Sequence, residues 1–285
     1  MKKTKRLREL LNSGKMTLSA CGYDALSMRL IELAGFEMAG TTGFGIHGSM
    51  LGTPDAGLIA LNESVERLGK MAEAVDIPIL ADAESGYGNA INAMRMVREH
   101  EKCGVAGVFF EDQKIPPNCP AYKETQLISM DEMAGKLEAA CAARIDPDFV
   151  ITARTDAIEF DETVKRLGAY VEAGADSILL IPQRLEVLEK IPSLIKVPVS
   201  VPFESASRVY PGITVSDLEK LGYLSVSFTF IALFASVKNT LDVLRKVRED
   251  GTILNVLDKM ISVEEYFKIV DADKYLEREK KYLRG

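Results

Sequence analysis

Four times along this chain a helical pattern stops on a glycine and an apolar run begins at once. The stretches are IELAGFEMAG with Gly35, HEKCGVAGVFF with Gly104, VEAGADSILLI with Gly174 and LEKLGYLSVSF with Gly222. Glycine closes a helix by taking the left-handed conformation at low cost, which frees the chain to turn back as a strand. Gly35, Gly104 and Gly174 stand 69 and 70 residues apart, twice the length of a βα unit of about 35 residues. Candidate strands lie at 16–20, 36–40, 77–83, 107–111, 149–154, 177–181, 197–201 and 224–228. They are short and apolar, as strands buried on both faces must be. Helical patterns separate them. In 62–75, Val65, Leu68, Met71, Ala72 and Val75 share a face; 129–145 opens on a Ser129/Glu132 capping box; in 161–173 the stripe is Val164, Leu167 and Val171. The pattern predicts an α/β fold, a (β/α)8 TIM barrel forming one domain over 1–285, with extra helices from about residue 250. A doubly wound sheet lacks support, because CGYDALS after the first strand is not the glycine-rich turn GxGxxG.

Charge and composition narrow the function. A net charge of −7, with no basic stretch beyond the first few residues, argues against nucleic acid. MKKTKRLREL is not followed by the apolar core of a signal peptide, and no run of 18 apolar residues occurs. Cys21, Cys103, Cys119 and Cys141 form no CxxC, so neither a zinc ribbon nor a disulfide framework is expected. A cytoplasmic protein without a membrane partner is the expectation.

In a βα barrel the chemistry sits at the C-terminal ends of the strands. Asp82 and Glu84 alternate at the end of the third strand and so point to one side; Glu111 ends the fourth. Three carboxylates at one rim repel unless a cation or protons neutralise them. Without a histidine cluster they suit a hard, oxygen-seeking ion such as Mg²⁺. Some could instead cap the helices that follow. Arg154 ends an apolar strand, where burial demands an anionic partner, either the rim acids or a substrate carboxylate held in a bidentate fork. Thr42, Gly43, Phe44 and Gly45 offer consecutive amides suited to a carboxylate or phosphate. Asp55, on the same long loop, reads by default as a surface acid. Cys119 lies in a loop among Pro116, Pro117 and Pro120, within reach of substrate, whereas Cys103 and Cys141 lie on helices as small core residues. His47 and His100 are the only histidines and lie far apart, which disfavours a histidine triad or metal site.

Taken together, YDALSMRLIELAGF, TTGFGIHGSMLGTPDAG, ADAESGYGNA, GVAGVFFEDQ, DPDFVITARTDA and EAGADSILL resemble the isocitrate lyase / phosphoenolpyruvate mutase superfamily, in order from about residue 10 to 250. The resemblance implies a Mg²⁺-dependent barrel, with Mn²⁺ as a possible substitute, acting on a small carboxylate substrate. It also implies a homotetramer in which the final barrel helix swaps between paired subunits. By position it places Thr42, Gly43 and Phe44 at the substrate carboxylate, Asp55 among the catalytic residues, Asp82, Glu84 and Glu111 around the metal, Arg154 on the substrate and Cys119 at the catalytic cysteine of the lyases. The chain departs from the lyase pattern K-[KR]-C-G-H, having Pro117-Asn118-Cys119-Pro120-Ala121. Glu84 stands where the family has aspartate, Ile181-Pro182-Gln183 where an acid or histidine follows the sixth strand, and Pro202 where an asparagine follows the seventh.

Three readings follow. The first is a lyase that cleaves a carbon–carbon bond of a 2-hydroxy or 2-oxo acid through a metal-stabilised enolate of pyruvate or glyoxylate, with Cys119 as proton donor; decarboxylation is included. The second is phosphorus–carbon bond chemistry of the mutase or phosphonopyruvate hydrolase kind. The third is a non-catalytic binding protein on the same scaffold. Residues 112–127, long and proline-rich, are expected to act as a lid.

Overall fold

The computed structural model describes residues 1–120 and 125–283. Eight parallel strands close into a barrel in sequence order: β1 (Thr17–Gly22), β2 (Met38–Thr41), β3 (Ile79–Asp82), β4 (Gly107–Glu111), β5 (Val150–Thr155), β6 (Ser177–Leu180), β7 (Val199–Pro202) and β8 (Ser225–Phe228). Closure is made by β1 pairing with β8, Thr17 opposite Ser225. The helices are α1 (Lys3–Leu11), α2 (Ala25–Leu33), α3 (Gly43–Leu51), α4 (Leu61–Ala74), α5 (Ala90–Cys103), α6 (Met130–Ala143), α7 (Phe160–Glu172), α8 (Leu185–Leu194), α9 (Phe203–Val209), α10 (Val215–Lys220), α11 (Ile231–Asp250), α12 (Val263–Ile269) and α13 (Ala272–Tyr282). The glycine punctuation holds. Gly35, Gly104, Gly174 and Gly222 have φ of 90°, 91°, 103° and 96°, values that a side chain rarely adopts.

The strands alternate between two cores. Val108, Phe110, Ile151, Ala153, Ile178 and Leu180 face outward into the layer between sheet and helices. Met38, Leu80, Phe109, Val150 and Leu179 face inward, and Leu7 and Leu11 of α1 join them. So α1 plugs the N-terminal mouth of the barrel, a role the basic start of the sequence did not announce. Its Lys3 Nζ donates to the carbonyls of Ala72 and Val75 at the end of α4, where a cation meets the negative end of the helix.

Several expectations need correction. The 62–75 face is right, with Leu68, Met71, Ala72 and Val75 buried. The stripe of α7 is shifted: its deeply buried residues are Thr163, Arg166, Leu167 and Tyr170, because two polar side chains reach a buried acid. Ser129 accepts the Glu132 amide, but Glu132 does not complete a reciprocal box. Cys103 and Cys141 are half-buried at the edge of the outer core rather than within it. His100, on a charge-rich helix, is wholly buried.

The C-terminal extension follows α11, the eighth helix of the barrel. None of the residues of α11 is buried, and Ile231, Phe234, Val237, Leu241 and Leu244 are all exposed. No helix is long and apolar enough to cross a membrane among the described residues.

Candidate active site

The inward row of the barrel changes from apolar to charged at the C-terminal rim. Two residues beyond Leu80 and Phe109, on the same side of each strand, come Asp82 and Glu111. Arg154 stands in register with Glu111 on β5. The strand register therefore fixes three charges in one ring. Glu84 arrives differently. The strand ends at Asp82, so alternation does not bring the two carboxylates together; Glu84 takes the left-handed conformation with φ 53°. In that turn the Glu84 amide donates to Asp82 Oδ1 at 3.0 Å, and the Glu84 carbonyl accepts the Glu111 amide at 3.0 Å. A non-glycine residue in this region costs about 1–2 kcal/mol, a strain that aims a carboxylate inward.

The loop after β2 opens as α3, with Thr42 as its N-cap. Its first amides are free of intrahelical partners, which makes the segment suited to an anion. The Gly43 amide donates to Asp82 Oδ2 at 3.1 Å. No side chain fits at Gly43: an added Cβ would lie 3.1 Å from Asp82 Oδ2, 3.3 Å from Asp55 Oδ2 and 3.4 Å from Glu84 Oε1. Acids from two separate segments, the loop after α3 and the end of β3, thus converge on one point. Asp55 is not a surface acid; its side chain is 16% exposed, against His47.

Arg154 alone does not balance these four acids. Burial, then Asp82, raises the Asp55 carboxyl to about 6. Burial raises Asp82 against the pull of Arg154. Burial, followed by Asp82, Asp55 and Glu111, pushes Glu84 well above the carboxylate range. Burial raises Glu111 to about 8, with Arg154 opposing and Asp82 adding to the rise. Carboxylates so arranged shed their protons when a cation joins them, which is the condition for binding one.

The donor set fits a hard divalent ion. His47 clusters with Asp55 and Glu84, their ligating atoms lying within 4.8 Å of one another, yet its ring is already committed. Nδ1 lies 2.9 Å from the Gly43 carbonyl and must donate to it; Nε2 accepts the Leu58 amide at 3.2 Å. This fixes the tautomer and leaves no lone pair for a metal. His47 pins Gly43 instead, and oxygen donors remain.

Behind the cluster, Ser85 Oγ donates to Glu111 Oε1 at 3.2 Å. Lys136 Nζ donates to the Ser85 carbonyl. Lys136 is 1% exposed, a buried cation behind the acids. In front lies a cavity of about 140 Å³, lined by Thr42, Gly43, Phe44, Asp55, Asp82, Glu84, Glu111, Cys119 and Arg154 among others. The residues that the resemblance placed at the site all line this cavity, whereas Gly45, the last of the expected run of amides, does not. Cys119 is tied to the site through its amide, 3.4 Å from the Asp55 carbonyl. Of the lid expected over 112–127, residues 121–124 lie outside the described residues. Its base is closed by a bridge between Gln113 and Leu127, and the Asn118 amide donates to Gln113 Oε1 at 2.9 Å.

The model of the phosphoenolpyruvate phosphomutase family matches residues 7–248. The chain belongs to this family, within the isocitrate lyase / phosphoenolpyruvate mutase superfamily. It is 36% identical to the 2,3-dimethylmalate lyase of Eubacterium barkeri over 98% of each chain. It is also 36% identical to the 2-methylisocitrate lyase of Aeropyrum pernix, over 96% of this chain and 89% of that one. A crystal structure of phosphonopyruvate hydrolase in complex with oxalate and Mg²⁺ superposes with a TM-score of 0.90 at 31% identity, covering all of both chains.

For this phosphomutase-family chain, sequence reasoning missed the supports of the site. Arg154 does not present an open fork. Its Nε and Nη2 donate to Asp156 Oδ1 and Oδ2 at 3.0 and 2.9 Å, and Nη1 stands 3.7 Å from Glu111. Although burial opposes it, Asp156 and Glu111 hold the guanidinium charged. Asp112, wholly buried, collects Thr155 Oγ1 at 2.6 Å, Tyr170 Oη at 2.7 Å, Arg166 Nη1 at 3.0 Å and the Asp156 amide at 3.2 Å. Asp112 and Asp156 stand within the EDQ and ARTDA segments, so the signal was present. Their role depends on Arg166 and Tyr170, more than 50 residues away from Asp112.

Proposed function

We propose that the protein is a Mg²⁺-dependent lyase that cleaves a carbon–carbon bond of a small 2-hydroxy or 2-oxo carboxylic acid, releasing a pyruvate- or glyoxylate-type fragment. The observation that carries this reading is the convergence of Asp55, Asp82 and Glu84 on Gly43 beside Glu111. Of these, Asp82, Glu84 and Glu111 would hold Mg²⁺, or Mn²⁺ in its place, and Asp55 would stand beside them. The bound ion supplies positive charge at the oxygen where negative charge develops as the bond breaks.

The chain's own residues do the rest. At the start of α3 the Gly43 amide is engaged by Asp82, so the Thr42 hydroxyl and the Phe44 amide, with Gly43 between them, receive the substrate carboxylate. Arg154, fixed by Asp156, directs Nη1 toward the ring of acids and steadies a substrate oxygen there. Asp55, at the cavity wall beside the other acids, is placed to take the proton of a substrate hydroxyl, and burial in the cavity keeps bulk water from it. Cys119, at the cavity wall, donates a proton to the departing carbanion. Glu84 in place of the family's aspartate lengthens one arm of the cluster, and its left-handed turn draws that arm back.

The relatives' names include both lyases and a phosphonopyruvate hydrolase. One screen separates them. With Mg²⁺ present, ¹H NMR of 2-hydroxy and 2-oxo diacids should show a pyruvate- or glyoxylate-type product, and ³¹P NMR of phosphonopyruvate should show no phosphate. Phosphate release alone would replace the lyase reading with phosphorus–carbon chemistry.

The assembly proposed is a homotetramer of helix-swapped pairs. It is supported by α11, the eighth helix of the barrel, none of whose residues is fully buried and which exposes an apolar stripe.

A further inference from the structure

The cavity carries unequal charge on its two sides. The acids enter from β2, β3 and β4 and the segments that follow them; β7 lies four strands round from β3 and so forms the opposite wall. On that wall, α9 follows β7 directly, and its Ser205 and Arg208 both line the cavity. Residues three apart share a helix face, so one face of α9 presents a hydroxyl and a guanidinium to the same space.

Two guanidiniums line this cavity, and they differ in what they already hold. Arg154 is engaged by Asp156 and Glu111. Arg208 has neither an ion pair nor a hydrogen bond among the described residues. The acid closest to it in sequence within α9, Glu204, is spent elsewhere: its carboxylate accepts the amides of Thr229 and Phe230 at 3.1 and 2.9 Å. Arg208, exposed where it lines the cavity, is therefore open to something that enters from outside.

The cavity wall is mixed: Phe44 and Phe230 meet edge to face at 5.4 Å, Ile181 and Pro202 line the same cavity, and Ser200 and Ser227 stand among them. A ligand that spans the cavity thus meets an oxygen-rich, cation-seeking end and, on the opposite wall, a single guanidinium with a hydroxyl beside it. We infer that Arg208, assisted by Ser205, receives a second carboxylate at the far end of the substrate and so selects a diacid. The inference rests on the reading of the acid cluster as the head-group site. A planar guanidinium fork beside one hydroxyl matches the two oxygens of a carboxylate; the three oxygens of a phosphonate would call for further donors.

The test is calorimetric titration with Mg²⁺ present, of wild-type protein and Arg208→Gln, against three probes. Oxalate reaches only the head-group end. 3,3-Difluorooxaloacetate adds a carboxylate at C4, and phosphonopyruvate replaces that carboxylate with a phosphonate. Arg208→Gln should weaken 3,3-difluorooxaloacetate tenfold or more and leave oxalate within twofold. Arg208→Lys, which keeps a point charge without the fork, should recover part of the loss. Equal affinity for 3,3-difluorooxaloacetate in wild type and Arg208→Gln overturns the inference, as does an equal loss for it and for oxalate. A loss confined to phosphonopyruvate overturns the carboxylate assignment. Failure of oxalate to bind the wild-type protein with Mg²⁺ would instead overturn the head-group reading on which the inference rests.

Discussion

At the scale of single residues, function here depends on which polar groups are already satisfied. His47 is excluded as a metal ligand by two hydrogen bonds, and Arg154 is locked by a neighbour two positions away. Cys21, at the cavity wall, is pushed to about 12 by burial, then by Glu204 and Asp82, and is inert as a nucleophile. That leaves Cys119 as the thiol for chemistry. Cys119→Ser should slow cleavage by roughly 10²–10⁴-fold, the range for a proton-transfer group, and leave oxalate affinity unchanged. A rate within a few fold of wild type would remove the cysteine from the mechanism and favour decarboxylation. His100 offers a test of stability. Its Nδ1 donates to the Met96 carbonyl at 2.8 Å, its Nε2 has no partner, and burial lowers it from 6.5 to about 4. As pH falls through 6.5 the unfolded chain takes up this proton and the folded chain does not. Stability is therefore complete above 6.5 and lost progressively down to 4, by about 3 kcal/mol in all. Urea unfolding of wild type and His100→Gln at pH 7 and pH 5 checks the sign. The wild type should lose more stability than the variant on acidification; equal losses would show that the ring titrates normally in the fold.

At the scale of elements, the sequence revealed the strands better than what braces them. Eight apolar runs and four terminal glycines carry a local signal, because strand burial and left-handed glycine are properties of a few adjacent residues. The inward placement of Asp82 and Glu111 was equally legible, since it follows from a strand period of two. Three features were not. The turn at Glu84, the start of α3 at Gly43 and the buried network on Asp112 depend on contacts between distant segments. That network joins β4, β5 and α7: Tyr170 and Arg166 on α7 bind Asp112 after β4, and Asp112 holds the Asp156 amide after β5. Asp156 in turn holds Arg154. Tyr170→Phe removes one hydrogen bond to a buried carboxylate and should cost about 1.5–3 kcal/mol. Urea unfolding measures the loss. A change below about 0.5 kcal/mol would mean that the remaining donors, or water, satisfy Asp112 in full.

At the scale of the molecule, one chain is a complete barrel with an incomplete surface. The α1 plug closes one mouth and the acid cluster occupies the other. On the side, α11 leaves much of its apolar stripe exposed, although its Phe234 meets Phe44 and Phe230 of the same chain. A stripe of this kind calls for a partner surface, which a second copy of the chain is proposed to supply. Leu241→Glu combined with Leu244→Glu should convert a tetramer to smaller species by sedimentation velocity; an unchanged sedimentation coefficient would separate α11 from assembly. The central claim, that the converging carboxylates serve a divalent ion on which substrate binding depends, needs no knowledge of the substrate to be tested. Titration calorimetry of oxalate in Mg²⁺ and in excess EDTA addresses it directly. Oxalate should bind the wild-type protein with Mg²⁺, fail to bind in EDTA, and fail to bind Asp82→Ala under either condition. Binding of equal strength in EDTA would contradict the metal site and the mechanism built on it.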